Sequence, residues 1–337
     1  MQTRENLNWR GLDKELRAIL RCPTCHSAVT DDAGGLECAE CHRKFPLVNG
    51  VLRFVDAQHY AGSFGFQWLK HDRTQLDDDL NRRSEQDFIR KSGLHREDLA
   101  GKLVLDVGCG MGRFAEVTSR WGARVVGIDL SQAVEAAARN LASREVTIFQ
   151  ADVFALPFVP ESFDYIYSMG VLHHTPNCEK AFKGLPRLLK PGGGIVIWLY
   201  SGYHKWYRMS DVYRRVTRRM NRNLLHRLCY LTIPLYQTHR ALRHIPLLGK
   251  PASGLLAYMV PMSFNKDPKW RVLDTFDWYS PEYQSKHTYE EVFRWFEDVG
   301  LENLHVGEKP IGVRGTKPAG NSRVPRESES EVERCVG

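Results

Sequence analysis

Residues 103–114, which read LVLDVGCGMGRF, decide the fold of this chain. A short apolar run with one aspartate leads into Gly108, Gly110 and Gly112, and a helical pattern begins at Arg113. Glycines at such a turn let the backbone bend sharply and approach a ligand, because no Cβ atom stands in the way. The stretch therefore predicts a strand, a ligand-binding turn and a helix. The turn also fits a dinucleotide fingerprint ending at Ala115, so alone it does not select the ligand.

The same alternation of strand and helix continues on the C-terminal side of this stretch. Further apolar runs occur at residues 124–129, 146–150, 164–170 and 194–200, with helical segments starting near Arg113, Ser131 and Cys178. Such alternation predicts a parallel sheet covered on both faces. A capped helix at 289–299 is followed by the short runs LENLHVG and PIGVRG, which predict an antiparallel hairpin closing the sheet.

Three aspartates narrow the choice of ligand. Asp129 ends the second strand, where a carboxylate can accept hydrogen bonds from ribose hydroxyls. Asp152 follows the third strand, where a carboxylate can accept a hydrogen bond from an adenine amino group. The alternative role for Asp152 is a helix N-cap. Asp106 lies inside the first strand, and a buried acid is costly unless a cation or several donors meet it. A donor with a sulfonium and an ammonium group favours this acid, whereas a pyrophosphate does not.

Five segments in order, VLDVGCGMGRFAEV, VVGIDLS, QADVFALPF, SFDYIYSMGVLHHTP and LLKPGGGIVI, resemble the successive motifs of class I S-adenosylmethionine-dependent methyltransferases. The resemblance covers residues 100–200. It implies an α/β, Rossmann-like seven-stranded methyltransferase sheet with an antiparallel closing strand, and S-adenosyl-L-methionine as methyl donor. The donor-binding residues that it implies are Asp106, Gly108, Cys109, Gly110 and Gly112 for the methionine part, Asp129 with Leu130 for the ribose, Asp152 with Val153 for the adenine, and Ser168 closing over the donor.

Two CxxC pairs form a separate motif near the start of the chain. Cys22 and Cys25 are followed after twelve residues by Cys38 and Cys41. Four thiolates at this spacing can close a tetrahedral shell around Zn²⁺ in a segment too small to fold by core burial alone. The motif predicts a structural zinc ribbon, and it resembles the ribbon attached to several bacterial methyltransferases. A redox pair or disulfides are the alternatives.

Histidines are the candidates for a general base that an oxygen acceptor would need. His173 and His174 follow the fourth strand at the edge where the methyl group is expected, and His287 lies in an aromatic, acidic segment at 274–288. A purely structural role for these histidines, and core packing for the segment, remain alternatives. Residues 60–68 (YAGSFGFQW) predict a lid over the donor that includes Gln67.

A basic insertion follows the fifth strand. Residues 204–250 contain eleven lysines or arginines, starting with Lys205, and one acid, Asp211, with apolar residues interleaved. Such a segment can lie on anionic lipid with arginine stems around an apolar face. It can also bind RNA, or simply form a helical cap over the acceptor pocket.

The whole chain has an ordinary globular composition. Its 337 residues are 42% hydrophobic and 26% charged, and the net charge of +7 does not by itself imply nucleic acid. No secretory signal or membrane span is recognisable, which predicts a cytoplasmic location, with peripheral contact at the inner membrane surface through 204–250 as an alternative. The predicted units are a helix and zinc ribbon (1–56), a lid (57–99), a donor-binding core (100–202), the insertion (203–270), an acceptor-side segment with the closing hairpin (271–315) and a disordered tail (316–337).

These features predict a methyltransferase whose acceptor is a small or lipid-linked organic molecule, such as a quinone precursor, a glycan or a secondary metabolite. An RNA or protein methyltransferase that grips a macromolecule with the ribbon and the insertion is the first alternative. An NAD-dependent oxidoreductase and a non-catalytic zinc adaptor are further alternatives from other classes. The sequence does not predict the oligomeric state.

Overall fold

The N-terminal module is a helix followed by two hairpins. The structure is a computed structural model and describes residues 13–56, 60–203 and 208–320. The predicted helical pattern in residues 1–12, Lys205 of the insertion and the tail from 321 onwards lie outside the described residues. The module consists of α1 Lys14–Ile19, β1 Val29–Asp32, β2 Gly35–Cys38, β3 Lys44–Val48 and β4 Val51–Arg53.

Three helices connect the module to the central sheet. They are α2 Gly62–Lys70, α3 Arg83–Ser92 and α4 Arg96–Leu99. The predicted lid segment is therefore helical. Gly65 in α2 lies against the Ser131–Gln132 backbone, where a Cβ would come within 3.3 Å of the Gln132 nitrogen, so a small residue lets the helix pack closely.

Seven strands form the central sheet in the order β7-β6-β5-β8-β9-β11-β10. They are β5 Leu103–Val107, β6 Arg124–Asp129, β7 Val146–Gln150, β8 Phe163–Met169, β9 Leu189–Trp198, β10 Glu302–Val306 and β11 Gly312–Thr316. The first five are parallel, and β11 pairs antiparallel with β9 and with β10. The predicted parallel sheet and its antiparallel closing hairpin are confirmed.

Both faces of this sheet are buried, as its continuous apolar strands predicted. Alternate strand residues enter two separate cores: Leu105 packs in one and Val104 in the other. Three crossover helices, α5 Arg113–Arg120, α6 Ala133–Asn140 and α7 Cys178–Lys183, and the late helix α13 Tyr289–Asp298 cover the faces. α13 starts with a capping box in which Thr288 and Glu291 each bond the other's backbone, as the sequence predicted.

The N-terminal module adds its strands to one edge of the central sheet. Strand β4 pairs in parallel with β7 through Leu52 and Phe149, so the sheet has eleven strands with the module at one edge. Phe45 and Phe54 of the module belong to the same core as Phe149. The module is thus packed into the sheet and its core, and is not a separate attachment.

The basic insertion is helical and has a small core of its own. It contains α8 Arg208–Thr217, α9 Arg222–Cys229, α10 Thr232–Leu242 and α11 Gly249–Met259, and is followed by α12 Pro268–Tyr279. Leu225 and Cys229 of α9 pack on Val272 and Phe276 of α12. The first half of the acidic, aromatic segment at 274–288 therefore belongs to a helix that joins the insertion to the rest of the molecule.

No helix within the three described ranges combines the length and apolar character that crossing a bilayer requires. The unit boundaries predicted at residues 56, 99, 202, 270 and 315 stay predictions.

Candidate active site

A cavity of about 580 Å³ opens at the carboxyl edge of the parallel strands. The residues that follow β5, β6 and β8 line it, and so do α2 and α12. Eight of the predicted site residues meet in this cavity: Gln67, Gly108, Cys109, Gly110, Asp129, Leu130, Val153 and His174. Most of the predicted methyl-donor-binding residues are therefore gathered in one space.

The glycine turn lies in this cavity with a left-handed backbone. Gly108 and Gly110 have φ values of +83° and +55°. A Cβ on Gly108 would stand 2.3 Å from a Val171 methyl carbon, and one on Gly110 would stand 3.1 Å from the Trp68 indole nitrogen. Both glycines are required by conformation and by space. Gly112 does not line the cavity, because it faces Ala137 of α6 and Leu141 directly after that helix.

Asp129 holds the turn in place. One carboxylate oxygen accepts from the Gly110 N–H at 3.0 Å, and the other accepts from the Ser131 N–H at 2.8 Å and from its hydroxyl at 2.7 Å. These three hydrogen bonds fix the carboxylate where the turn meets the cavity.

Asp106 is buried beneath the turn and does not itself line the cavity. Within the described residues its Oδ2 atom has no hydrogen-bond partner. Burial raises the pKa of Asp106 to about 8, and the neighbouring Asp129 charge adds to this, while a hydrogen bond from Tyr167 opposes it. A protonated acid in a space without a cation is the expected state of such a group.

Two other residues that were predicted to contact the methyl donor, Asp152 and Ser168, do not line the cavity. The Asp152 carboxylate accepts from the Phe154 N–H at 3.0 Å and stabilises the turn after β7; among the described residues no helix begins there, so this contact is not the helix N-cap that was its alternative. The Ser168 hydroxyl donates to the Val107 carbonyl at 2.9 Å inside the sheet, so it joins β8 to β5 and is not exposed to the cavity. Gln67 does line the cavity, and its buried side-chain oxygen has no partner among the residues described.

His174 is the predicted histidine that reaches the cavity. Its Nδ1 lies 3.1 Å from the Tyr283 carbonyl oxygen, which only accepts hydrogen bonds, so Nδ1 carries the proton. Its Nε2 is buried, has no hydrogen-bond partner in the described part of the chain, and lies 3.8 Å from Asp277 Oδ2. Burial lowers the pKa of His174, and the ring is therefore neutral near pH 7.

The other two candidate histidines are not brought to the cavity. His173 is fully buried with its ring 4.0 Å from the Tyr200 ring, because the turn after β8 points it into the core. His287 lies 2.7 Å from the Ser285 hydroxyl and 3.3 Å from Glu291, where it lines a different cleft beside Cys178.

One acidic side chain of α12, Asp277, lies next to His174, and a second, Asp274, lines the same cavity. Asp277 accepts a hydrogen bond of 2.5 Å from the Tyr200 hydroxyl. Asp274 accepts from the Ser263 hydroxyl at 2.9 Å, and burial raises its pKa to about 7. Both acids line the cavity, so its α12 side is polar.

Sequence reasoning missed a partly buried ionic cluster in the cavity wall. Asp87 lies 2.8 Å from Lys91, 3.0 Å from Arg113 and 2.7 Å from Lys309. Burial opposes ionisation of Asp87, but the charges of Lys91 and Arg113 outweigh it and hold its pKa well below the usual range. These residues come from α3, from the start of α5 and from the hairpin β10–β11, and the only local signal was one acid–base pair four residues apart in α3.

The four cysteines of the N-terminal module form a cluster that fits a zinc ion. Their sulfur atoms all lie within 4.8 Å of one another, with Cys22 and Cys41 3.6 Å apart and Cys25 and Cys38 3.3 Å apart. These separations are too long for a disulfide bond of about 2.05 Å. They are near the ~3.8 Å between sulfurs of a tetrahedral site with zinc–sulfur bonds of about 2.3 Å. The predicted four-thiolate site is therefore compatible with structural zinc.

A seven-stranded sheet with an antiparallel closing hairpin and a glycine turn at its carboxyl edge defines the class I methyltransferase fold. Comparison with known families agrees with this: residues 105–197 match the family described as "Methyltransferase domain", and residues 13–50 match "Trm112p-like protein". The chain thus contains a segment with the fold and the sequence signature of the methyltransferase-domain family, preceded by a segment similar to Trm112-like proteins.

Curated relatives are similar to part of the chain. A ubiquinone biosynthesis O-methyltransferase of Pseudomonas fluorescens (strain Pf0-1) is 37% identical over 125 residues, which make up 35% of this chain and 52% of the relative. A sterol 24-C-methyltransferase of Gibberella zeae is 32% identical over 143 residues, which make up 38% of this chain and 35% of the relative. The chain spans about half the length of the first relative and about a third of the second.

Solved structures are similar over a longer part of the chain. The phosphoethanolamine N-methyltransferase 2 of Haemonchus contortus, in complex with S-adenosyl-L-methionine, is 18% identical and covers 73% of this chain and 43% of its own, with a TM-score of 0.40.

Proposed function

We propose that this protein transfers a methyl group from S-adenosyl-L-methionine to a hydroxyl oxygen of a small organic acceptor. The observation that carries the proposal is that one cavity connects the glycine turn and Asp129 with His174, whose Nε2 is deprotonated. A donor-binding element and a general base in one space are what oxygen methylation requires.

The donor would be held by the turn and the residues around it. The turn at Gly108 and Gly110 would contact the methionine part, Asp129 would accept from the ribose, and Leu130 and Val153 would flank the adenosine. The Asp106 Oδ2 atom, which has no hydrogen-bond partner among the described residues, supports a cationic ligand, because a nearby positive charge would favour the ionised form of the carboxyl. When bound, S-adenosyl-L-methionine supplies an electrophilic methyl group on a positively charged sulfur.

His174 would hold the proton that the acceptor hydroxyl gives up. The Tyr283 carbonyl fixes the tautomer, so the Nε2 lone pair is available for the proton. Asp277, 3.8 Å from Nε2, would stabilise the imidazolium that forms. Tyr200 keeps the Asp277 carboxylate in place through its own hydrogen bond.

A small acceptor is favoured by the similarity to a ubiquinone biosynthesis O-methyltransferase, whose name describes action on a small molecule. Within that class, a lipid-linked acceptor agrees with the apolar and basic insertion next to the cavity. The alternative of an RNA or protein acceptor rests on the basic insertion and on the Trm112-like module. It has less support, because it leaves the polar α12 side of the cavity unexplained.

The proposal is tested by replacing the proposed base. His174→Gln should lower kcat for a phenolic acceptor about a hundredfold or more, since general-base catalysis contributes about that much, with donor affinity little changed. His287→Gln is the matched control, because His287 lies outside the cavity. The assay is transfer of labelled methyl from S-adenosyl-L-methionine to catechol-type and alcohol acceptors. Full activity of the His174→Gln protein would refute the assignment of the base.

A further inference from the structure

Exposed apolar side chains are concentrated in the insertion. Thirteen of the twenty large hydrophobic side chains that are exposed in the described residues lie between residues 212 and 264. Monomeric proteins seldom leave so many apolar side chains exposed in one region without a binding role. The exposed apolar side chains of the insertion therefore indicate a surface that binds a partner.

The charge of this region is entirely of one sign. No aspartate or glutamate occurs between Asp211 and Asp267. Asp211 itself is paired with Arg214 and Lys286. Exposed cations are numerous over the same interval: Arg215, Arg218, Arg219, Arg222, Arg227, Arg240, Arg243 and Lys250. The partner of such a surface must be anionic as well as able to take up apolar groups.

The apolar groups reach their highest exposure at the turn between α10 and α11. Its sequence is IPLL at residues 245–248, and the exposed fractions of Ile245, Leu247 and Leu248 are 51%, 96% and 75%. Arg243 and Lys250 flank it and are themselves exposed.

This turn is tightly built. Gly249 approaches the Leu242 carbonyl so closely that a Cβ would stand 1.9 Å from its oxygen, and the Gly249 N–H donates to the Ile245 carbonyl at 3.2 Å. A side-chain hydrogen bond of 2.8 Å between Ser253 and His239 ties α11 to α10. The leucines are therefore presented by a defined hairpin.

We propose that the α10–α11 hairpin docks the protein on an anionic lipid bilayer, with Leu247 and Leu248 inserted among the acyl chains and the surrounding arginines at the headgroups. Apolar side chains at a tip with cations around them are the arrangement of interfacial membrane anchors. A nucleic acid would pair with the arginines but would leave the aliphatic tip in water, so lipid explains both halves of the surface.

The docking surface is connected to the cavity. Arg222 of α9 packs against Gly62 at the start of α2, and His226 of α9 lies 2.9 Å from His71 at the end of α2, Nε2 to Nε2. Helix α2 lines the cavity through Phe64 and Trp68. A protein docked through the insertion would thus hold the helix over its active site close to the membrane.

The test is co-sedimentation of the full chain with vesicles, without donor or acceptor, so its result does not depend on the proposed reaction. The protein should bind vesicles of mixed phosphatidylcholine and phosphatidylglycerol, bind phosphatidylcholine alone weakly, and lose binding as salt rises. The double substitution Leu247→Glu with Leu248→Glu should weaken binding about tenfold or more, because the apolar contribution is removed.

Leu80→Glu is the matched control, since Leu80 is 99% exposed and lies outside the insertion. It should bind as the unsubstituted protein does, and thermal unfolding of all three proteins should coincide because the changed side chains are exposed. Equal binding by the double variant would overturn the proposal. So would retention of a single-stranded RNA oligonucleotide together with no binding to anionic vesicles, which would assign the surface to nucleic acid.

Discussion

Asp106 illustrates at the residue scale how a sequence motif becomes a physical property. The acid was recognisable from its place before the glycine turn, and its predicted burial is confirmed by the 2% exposure of the residue. Burial is the main cause of its raised pKa; the Asp129 charge that adds to it and the Tyr167 hydrogen bond that opposes it come from other strands and could not be derived from sequence.

A pH-dependent stability follows from this residue. The pKa of Asp106 is about 8 in the folded protein. It is about 3.9 in an unfolded chain, so the folded protein retains a proton that the unfolded chain releases. The contribution is complete below about pH 4 and is lost as the pH rises towards 8. We expect Asp106→Asn to have a higher unfolding temperature than the unsubstituted protein without ligand, by a margin that grows from pH 5 to pH 9.

Asp164→Asn is the control for this measurement. Burial would raise the pKa of Asp164, but Lys190 and the Leu103 N–H lower it below its usual value, so its effect on stability should be constant above pH 5. Thermal scans followed by circular dichroism at several pH values are sufficient. A pH-independent margin for Asp106→Asn would show that the carboxyl is ionised in the folded protein throughout.

His174 and His173 are adjacent in sequence and have opposite surroundings. One lines the cavity and the other lies in the core. The residue pattern could not separate them, because the short helical turn at Leu172–His174 decides which side chain faces which way. The cluster around Asp87 was missed for a related reason, since Arg113 and Lys309 are distant from Asp87 along the chain.

At the element scale, the pairing of β4 with β7 is the feature that the sequence did not predict. Strand β7 was predicted from its apolar run, whereas β4 was not predicted, and the pairing of residues 52 and 149 depends on the packing of the module core against the sheet. The contacts of the Arg53 side chain result from this pairing. Its guanidinium lies 3.0 Å from Gln150 and 2.8 Å from Glu135, and Gln150 in turn donates to the Leu130 carbonyl at 2.7 Å.

Arg53 therefore connects the zinc module with a residue of the cavity wall. We expect Arg53→Met to lower the free energy of unfolding by about 2 kcal/mol, less than the roughly 3–5 kcal/mol of a fully buried pair because Glu135 keeps some contact with water. It should also weaken binding of S-adenosylhomocysteine, since Leu130 loses its support. Urea unfolding and calorimetric titration measure the two effects.

Arg43→Met is the matched control in the same module. Arg43 pairs with Asp56, whose side chain is 87% exposed, so its loss should cost under about 0.5 kcal/mol. Equal effects of Arg53→Met and Arg43→Met on stability and on ligand affinity would show that the contact of the module with the cavity wall contributes neither to the free energy of unfolding nor to ligand binding.

At the scale of the whole molecule, the order of elements was predictable and their convergence was not. Strand–helix alternation from residue 103 to 200 fixes a parallel sheet, and its carboxyl edge is where ligands of such sheets bind. The wall made by α2 and α12, and the contact of α9 with α2, depend on tertiary packing of segments whose local patterns are simply amphipathic. That is why the donor side of the cavity was predicted in more detail than the acceptor side.

The most direct test of the account is a calorimetric titration of S-adenosylhomocysteine into the unsubstituted protein, Asp129→Ala and Asp164→Ala. We expect one binding site per chain, an affinity at least about tenfold lower for Asp129→Ala, equivalent to about 1.4 kcal/mol, and an unchanged affinity for Asp164→Ala. Asp164 is the appropriate control because it lies at the opposite end of its strand. Equal affinity of the unsubstituted protein and Asp129→Ala, both folded, would contradict the claim that the cavity at the glycine turn holds the methyl donor.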